Sequence, residues 1–155
     1  MIKTIIRTLM LCLLGVAVSG AVASKSFANE RYGKQKVVYH INYKGGEDDK
    51  AYRGAMRNIM NHIRAVGEEN VEVKVILHGN GVGLLQDAVK NKKLQGDVLN
   101  LRQRKVKFEV CNNTLVGRKI SYENDLFEVY KEDIVPSGVA ELSRLQQMGY
   151  TYIKP

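Results

Sequence analysis

The spacing of apolar residues changes several times between residue 36 and the carboxyl terminus. Short runs rich in β-branched and aromatic residues predict strands at 36–42 (KVVYHIN), 71–79 (VEVKVILHG) and 107–111 (KFEVC), with two further strands at 132–136 and 150–155. Apolar residues three and four apart predict helices over 49–66, 82–90, 95–104 and 138–148. A turn at 112–117 is expected to lead into another helix, and a short helical or irregular piece is expected at 123–130.

Polar and glycine residues mark the ends of the longer predicted helices. Asp48 or Asp49 is suited to cap the first helix, and Gly67 is expected to end it. Ser137 is a suitable cap for the last helix, and Gly149 a suitable end. Strands that alternate with helices of these lengths predict an α/β domain. Its parallel sheet is expected to be covered on both faces and joined by right-handed crossovers.

The first 30 residues follow a different pattern. Lys3 and Arg7 precede an apolar run over 9–18, and small residues follow, which is the layout of a secretory signal peptide. Cleavage is predicted after Ala23, with a second candidate site after Ala28. The chain then divides into a signal peptide (1–23), a flexible lead-in (24–35) and one domain (36–155). Because the apolar run is shorter than the ~20 residues of a membrane span, we expect a periplasmic or otherwise exported protein with no stable membrane anchor.

The net charge and its distribution along the sequence limit the kinds of partner that the protein can bind. The net charge is +8, and it becomes +6 once Lys3 and Arg7 leave with the signal peptide. The charges alternate in sign, as at 47–50 (EDDK), and form no long basic block. The alternating charges and the predicted export both argue against nucleic acid as a partner. The charged residues are expected to form solvated faces.

Cysteine usage points to one side chain. Cys12 lies inside the predicted signal peptide, so Cys111 is the single cysteine of the mature chain and no disulfide can form within the subunit. Because Cys111 stands just before the turn that leads into a predicted helix, backbone N–H groups at the start of that helix would favour its thiolate and lower its pKa. Asn112, Asn113 and Thr114 are placed to cap that helix and to donate hydrogen bonds to the sulfur. The alternative is a small buried residue with an inert thiol.

Two histidines are expected at the same edge of the sheet as Cys111. His40 and His78 fall near the carboxyl ends of the first and second strands, where open parallel sheets bind their ligands. They are candidates to tune or deprotonate the thiol, or to join it as metal ligands. The alternative for each is a hydrogen-bonded structural histidine. His62, within the first helix, is expected to be structural or exposed.

The turn after the second strand is rich in glycine. Gly79, Asn80 and Gly81 stand between a strand and a predicted helix, where backbone N–H groups can bind an anion. Tight turns also use glycine for steric reasons alone. The chain contains no G-x-G-x-x-G, Walker lysine, C-x-x-C, H-E-x-x-H or G-x-S-x-G, which disfavours dinucleotide-binding, NTPase, thioredoxin-type and common hydrolase functions.

Three stretches together resemble the DsrE/DsrF-like family: HGNGV at 78–82, CNNTL at 111–115 and VPSGVAELSRLQQMGYTYIKP at 135–155. The resemblance covers 36–155 and, with the predicted signal peptide, indicates an exported branch. It implies a three-layer α/β/α sandwich with a mainly parallel five-strand sheet, assembled as homotrimers or hexamers. In sulfur-relay members, which are typically cytoplasmic, a cysteine in a corresponding loop holds sulfur as a persulfide. Cys111 is the matching position.

Two functions follow as hypotheses. In the first, the protein is an exported sulfur carrier. Cys111 takes sulfur from a donor protein or a small sulfur species and passes it to an acceptor, while His78 or His40 moves a proton. In the second, it is a non-catalytic oligomeric module that binds a small anion or a metal at the strand-end pocket. The ligand-binding candidates are Gly79, Asn80, Gly81, Asn112, Asn113 and Thr114. The sulfur-carrier hypothesis assigns no cofactor and no resident metal, and it leaves catalytic turnover open.

Overall fold

The structure, a computed structural model, describes residues 31–155. Five strands lie within them: β1 (Gln35–Ile41), β2 (Val71–Leu77), β3 (Lys107–Cys111), β4 (Ile134–Val135) and β5 (Thr151–Ile153). Six α-helices lie wholly within the same residues: α1 (Lys50–Val66), α2 (Gly83–Ala88), α3 (Lys92–Gln103), α4 (Asn112–Arg118), α5 (Tyr122–Asp125) and α6 (Gly138–Gln147). Short 3-10 turns occupy Glu47–Asp49, Gly79–Val82 and Lys131–Asp133.

The five strands form one sheet in the order β4-β3-β2-β1-β5, and every neighbouring pair is parallel. The chain steps in one direction from β1 to β4 and then crosses back to add β5 beside β1. Right-handed crossovers place the helices of the first steps on one face and the returning helix, α6, on the other. This confirms the predicted α/β fold, with a parallel sheet between helical layers.

The two faces of the sheet are buried unequally. One face forms the larger apolar cluster with α1, α2 and α3, and its members include Tyr39, Ile59, Val75, Leu85 and Phe108, each at most 3% exposed. The other face, covered by α6, has a small cluster of Val38, Ile76, Leu142, Leu145 and Tyr150. A single helix covers only part of that face, which leaves positions along the same strands for polar side chains.

Polar side chains occupy the α6 face on both sides of its small cluster. Within the described residues, His40 and Glu109 are the buried polar side chains, each 8% exposed, and both lie on this face. Toward the amino ends of the strands, the ammonium of Lys74 lies 2.6 Å from the carboxylate of Glu109, and Tyr150 donates a hydrogen bond to Glu72. His40 lies toward the carboxyl ends, where the candidate site is found.

Several predicted helix ends are confirmed. Helix α1, predicted from apolar residues three and four apart, buries Ala55, Met56, Ile59, Ile63 and Val66. It ends at Gly67, whose φ of +95° favours glycine. The hydroxyl of Ser137 accepts a hydrogen bond from the N–H of Ala140 at 3.4 Å, and Gly149, with a φ of +87°, follows α6. Local side-chain chemistry was therefore sufficient to place these ends.

The predicted capping of α1 is wrong. Asp49 does precede the helix, but its carboxylate accepts a hydrogen bond from the carboxamide of Asn91 at 2.8 Å and makes no capping bond. Asp48 and Asp49 both have left-handed backbone angles. The N–H of Ala51 is bound instead by the carbonyl of Gly45 at 2.8 Å. A backbone acceptor thus replaces the side-chain cap.

Three other boundaries differ from the prediction. The carboxamide of Asn91 accepts from the N–H groups of Lys93 and Leu94, so α3 begins at Lys92 and not at 95. Helix α4 begins directly at Asn112, where a turn is predicted, because Cys111 already stands at the N-cap. Strand β4 is only two residues long, since 131–133 form a 3-10 turn.

His62 is a structural residue, in line with one of its two expected roles. Its Nδ1 lies 2.7 Å from the hydroxyl of Tyr39, and its Nε2 lies 2.7 Å from Oε1 of Gln35. Burial lowers the pKa of His62. The imidazole therefore joins α1 to β1 as a neutral group.

The predicted signal peptide (1–23) and most of the predicted lead-in (24–35) lie outside the described residues. Strand β1 begins at Gln35, one residue before the predicted start of the domain. No helix among residues 31–155 combines the length and the apolar character needed to cross a membrane.

Candidate functional site

The three candidate reactive side chains lie toward one end of the α6 face. Cys111 is the last residue of β3, and His78 directly follows the neighbouring strand β2. His40 lies within β1 and not after it, in register with Ile76. Because Val38 and Ile76 pack toward α6 and side chains alternate along a strand, His40 and His78 point to that face as well.

The amino terminus of α6 brings Cys111 and His78 together. A Cβ added at Gly138, the first residue of α6, would lie 3.0 Å from the Cβ of His78 and 3.2 Å from the Cβ of Cys111. Only glycine leaves room for the backbone of α6 to approach both side chains this closely. The described structure thus places the cysteine and one histidine against the same short stretch of backbone.

The first residues of α4 and of α6 lie close to the side chain of Cys111, which is 5% exposed. Burial acts to raise the pKa of the thiol. It is outweighed by hydrogen bonds from the N–H of Gly138, the N–H and hydroxyl of Thr114 and the N–H of Asn113, so the pKa lies below its ordinary value. The first residues of α4 and of α6 therefore stabilise the same thiolate, which is the nucleophilic form of cysteine.

Thr114 links this sulfur to the glycine-rich turn. Its Oγ1 accepts a hydrogen bond from the N–H of Gly79 at 2.9 Å. That bond uses a lone pair of the hydroxyl, so the hydroxyl proton is left to bond the sulfur of Cys111. The turn after β2 thus orients a donor that belongs to α4.

Replacing Thr114 by valine should weaken the thiolate of Cys111. The change removes the hydroxyl and keeps the shape of the side chain. A hydrogen bond to a charged group contributes about 1.5 kcal/mol or more, so the thiolate fraction below the thiol pKa should fall about tenfold. The rate of alkylation by iodoacetamide across a pH series measures this fraction. Thr114→Ser keeps the hydroxyl and should match the wild type, and three superimposable profiles would refute the assignment.

His40 and His78 form a hydrogen-bonded pair. Their Nε2 atoms are 2.6 Å apart, and Nδ1 of His40 lies 2.7 Å from the hydroxyl of Tyr152 on β5. Burial, the charge of His78 and the charge of Lys154 lower the pKa of His40 to about 4. Burial and Lys154 also lower the pKa of His78. Both imidazoles are neutral at neutral pH.

The pair is arranged for a shared proton and not for a metal ion. Zinc needs about 2.0 Å to each ligating nitrogen, so no ion fits between two nitrogens that face each other at 2.6 Å. Across residues 31–155, no group of three or more His, Cys, Asp or Glu side chains is placed to hold a metal ion. The imidazoles can accept, donate or pass on a proton.

The N–H groups of the glycine-rich turn are engaged within the protein. Gly79 donates to Thr114, and Gly81 donates to the carbonyl of His78 at 3.0 Å. A Cβ at Gly81 would lie 1.9 Å from the carbonyl oxygen of Ile41, so glycine is needed there for a close backbone approach. The turn therefore has a structural reason for its glycines, and these two donors are not directed at an anion.

The remaining predicted ligand-binding residues divide between the site and the surface. The N–H of Asn113 acts on the sulfur of Cys111, whereas Asn112 is exposed. The carboxamide of Asn80 accepts a hydrogen bond from Arg118 at 3.0 Å. A cavity of about 400 Å³ opens beside Asn80 and Arg118, but Cys111 does not line it.

Two residues of the site carry no signal in the sequence that marks them as functional. Gly138 lies in the stretch that starts the last helix, where Ser137 was the recognisable signal. Tyr152 is a residue of the last strand without any local mark of function. Both approach the site because β5 lies beside β1 and α6 returns over the sheet.

Comparison with known families identifies the domain. A model described as the DsrE/DsrF-like family matches residues 36–155. The chain belongs to the DsrE/DsrF-like family. This confirms the family expected from the stretches at 78–82, 111–115 and 135–155. Membership is consistent with a sulfur-related role.

Two solved structures are similar to this DsrE/DsrF-like chain. MTH1491, a protein of unknown function from Methanobacterium thermoautotrophicum, is 30% identical, matches 79% of this chain and 100% of its own, and superposes with a TM-score of 0.64. BT1422, a conserved protein of unknown function from Bacteroides thetaiotaomicron, is 13% identical, matches 78% of this chain and 95% of its own, and has a TM-score of 0.54. The second likeness shows the fold alone. No curated protein matches the chain.

Proposed function

We propose that this DsrE/DsrF-like protein is an exported sulfur carrier in which Cys111 holds sulfur as a persulfide and passes it to a partner. The observation that supports this most directly is the convergence of donors on one thiol. N–H groups from two helices and the hydroxyl of Thr114 stabilise negative charge on the sulfur. A thiolate stabilised before it meets its substrate is an activated nucleophile.

The proposed reaction is an exchange of sulfane sulfur without net oxidation. The Cys111 thiolate attacks the outer sulfur of a donor persulfide, R–S–SH. A bond forms between Sγ and that sulfur, the S–S bond of the donor breaks, and the inner sulfur leaves as a thiolate that takes up a proton. An acceptor thiolate then attacks the outer sulfur held on Cys111, and Cys111 leaves as the thiolate. One cysteine is sufficient for both steps.

The burial of Cys111 restricts the donor. With the side chain 5% exposed, a bulky disulfide cannot bring a sulfur atom into line with Sγ unless the surrounding loops move. This burial favours small donors, such as a short polysulfide or the persulfide of a partner protein. The proposal therefore includes small sulfur species and donor or acceptor proteins as partners.

Export and assembly belong to the same proposal. The charged, apolar and small residues of 1–23 support export to the periplasm or beyond. Family resemblance supports a homotrimer or hexamer. An exported carrier would serve sulfur chemistry outside the cytoplasm, in contrast to the cytoplasmic relays of the family.

The alternative function, a module that binds an anion or a metal, has less support. The N–H groups of Gly79 and Gly81 already have acceptors within the protein. His40 and His78 face each other and do not converge on a common point. The donors of Gly138, Thr114 and Asn113 act on the sulfur of Cys111.

The proposal is tested by loading the thiol with sulfur. Wild type and Cys111→Ser, both purified without reductant, are mixed with inorganic polysulfide and measured by intact and peptide mass spectrometry. We expect wild type to gain sulfur on the peptide that contains Cys111, to lose it on reduction, and to differ in this from Cys111→Ser. If folded wild type with a titratable thiol gains no sulfur, the carrier function is wrong.

A further inference from the structure

We propose that Tyr152, His40 and His78 form a proton relay between solvent and the thiol of Cys111, with Tyr152 as the outer end. The proposal rests on the carrier function and adds a route for the proton that the thiol must lose before it attacks a donor. Its basis is a continuous chain of hydrogen bonds across three neighbouring strand segments. None of the three side chains is needed to complete the apolar core.

The geometry of the two imidazoles indicates that a single proton lies between them. The ring centroids are 4.7 Å apart, the Nε2 atoms are only 2.6 Å apart, and the rings are inclined by 21°. The two nitrogens therefore lie between the rings and point at each other. One nitrogen must donate and the other must accept, because two N–H groups or two lone pairs at this distance would repel.

His40 is bonded through both of its ring nitrogens. Nε2 faces His78, and Nδ1 lies 2.7 Å from the hydroxyl of Tyr152. A neutral imidazole has one N–H and one lone pair, so His40 donates on one side and accepts on the other. A proton that arrives at one nitrogen releases a proton from the other, and the whole chain of bonds reverses. This is the property that a relay requires.

The hydrogen-bonded series Tyr152–His40–His78 has one end near solvent and the other end near Cys111. At the outer end, Tyr152 is 40% exposed and can exchange its hydroxyl proton with water. At the inner end, His78 lies against the same backbone of Gly138 as Cys111. Nδ1 is the nitrogen of His78 that the imidazole pair does not use. Cys111 itself is 5% exposed, which limits direct proton exchange with bulk water.

The charges around the pair keep it neutral and able to pass a proton. Burial lowers the pKa of both histidines, and the positive charge of Lys154, which follows β5, lowers it further. Cys111 and Tyr152 are the titratable groups that approach from β3 and β5. Glu141 of α6 is engaged by Arg144, its neighbour on the helix.

In the proposed loading step, protons move along these hydrogen bonds, and the first transfer joins Cys111 to His78, which lies beside it at Gly138. The Cys111 thiol gives its proton to Nδ1 of His78. The proton on Nε2 of His78 moves to His40, the proton on Nδ1 of His40 moves to the oxygen of Tyr152, and Tyr152 releases its own proton to water. The thiolate attacks the donor, and the leaving thiolate takes a proton from water. No proton is gained or lost overall, and no oxidant is required.

Tyr152→Phe tests the relay, because it removes one oxygen and keeps a ring over Nδ1 of His40. With inorganic polysulfide as donor, the full-length variant should still load sulfur completely on Cys111. Below the thiol pKa it should load about tenfold more slowly than wild type, and above that pKa the two rates should converge because the thiolate already exists. Free imidazole in the buffer should restore the rate. Tyr130→Phe, at a tyrosine that is half exposed and bonded to Glu128, is the matched control and should behave as wild type.

The outcomes separate the relay from the carrier function. If wild type does not load at Cys111, the carrier function fails and the relay fails with it. If wild type loads and Tyr152→Phe has the same pH profile, the relay alone is wrong. A slowing of Tyr152→Phe that is equal at every pH and indifferent to imidazole indicates a purely structural role, and it also overturns the relay. His40→Gln, which keeps hydrogen bonds but cannot pass a proton, should reproduce the effect of Tyr152→Phe.

Discussion

Replacing Gly81 by alanine should destabilise the domain by about 3 kcal/mol or more. The added Cβ would lie 1.9 Å from the carbonyl oxygen and 2.5 Å from the carbonyl carbon of Ile41, and 3.0 Å from the amide nitrogen of Asn42. All three are backbone atoms at the end of β1, so the clash cannot be relieved by rotating a side chain. Either the turn or the end of β1 must move. Urea unfolding followed by circular dichroism gives the free energy of unfolding.

A second glycine provides the matched control. Gly96 lies in the exposed middle of α3, and a Cβ there would meet nothing within 4 Å. Gly96→Ala should therefore raise stability by about 0.5–1 kcal/mol, through better helix propensity. A Gly81→Ala protein as stable as Gly96→Ala would show that the turn does not pass so close to Ile41. The backbone argument for this turn would then be abandoned.

Removing one partner of the Lys74–Glu109 ion pair should cost about 3 kcal/mol. The two charged atoms are 2.6 Å apart, and the side chains of Lys74 and Glu109 are only 13% and 11% exposed. Glu109→Met keeps the length of the side chain but leaves the ammonium of Lys74 enclosed without its carboxylate. The cost therefore comes mainly from an uncompensated buried charge. Equilibrium unfolding of this single variant measures it.

The double variant distinguishes the cost of a broken pair from the value of an intact one. Lys74→Met combined with Glu109→Met leaves no enclosed charge, and it should recover most of the stability lost in the single variant. The pair of Lys50 and Glu47 serves as an exposed comparison, with side chains 71% and 82% exposed, and Lys50→Met should leave the unfolding midpoint unchanged. If the double variant is no more stable than Glu109→Met, the assignment of the cost to Lys74 is wrong.

The Gly81 turn and the Lys74–Glu109 pair lie in different parts of the α/β fold. The sequence gives a local signal for the first and none for the second. The glycines of 79–83 are conspicuous in the sequence, although an anion site and a tight turn predict the same residues. Two observations distinguish the explanations: the close approach of Gly81 to Ile41, and the N–H groups of Gly79 and Gly81, which are already bonded within the protein. Glu109 stands in a short strand whose neighbours are apolar, and its partner Lys74 belongs to another strand, so no local pattern identifies the pair.

The predicted element boundaries were wrong where a residue distant in the chain changed the local hydrogen bonds. Asp49 has the right chemistry and the right place for a cap, but Asn91, 42 residues later in the chain, engages its carboxylate. Asn91 in turn begins α3 earlier than the apolar spacing indicates. A capping preference describes a residue and its own helix. The capping bond does not form when a distant side chain engages the capping residue or when a backbone carbonyl binds the N–H group instead.

The sequence by itself determined the elements, the fold class, the family and the cysteine at the end of β3, because periodicity, turn chemistry and short motifs are local properties. It also brought His40 and His78 into consideration, since parallel strands align their carboxyl ends. Only the tertiary structure decided which groups meet there: Gly138 against Cys111 and His78, Thr114 between the sulfur and the turn, and Tyr152 against His40. These contacts join residues far apart in the chain, and they exist because β5 lies beside β1 and α6 crosses back over the opposite face.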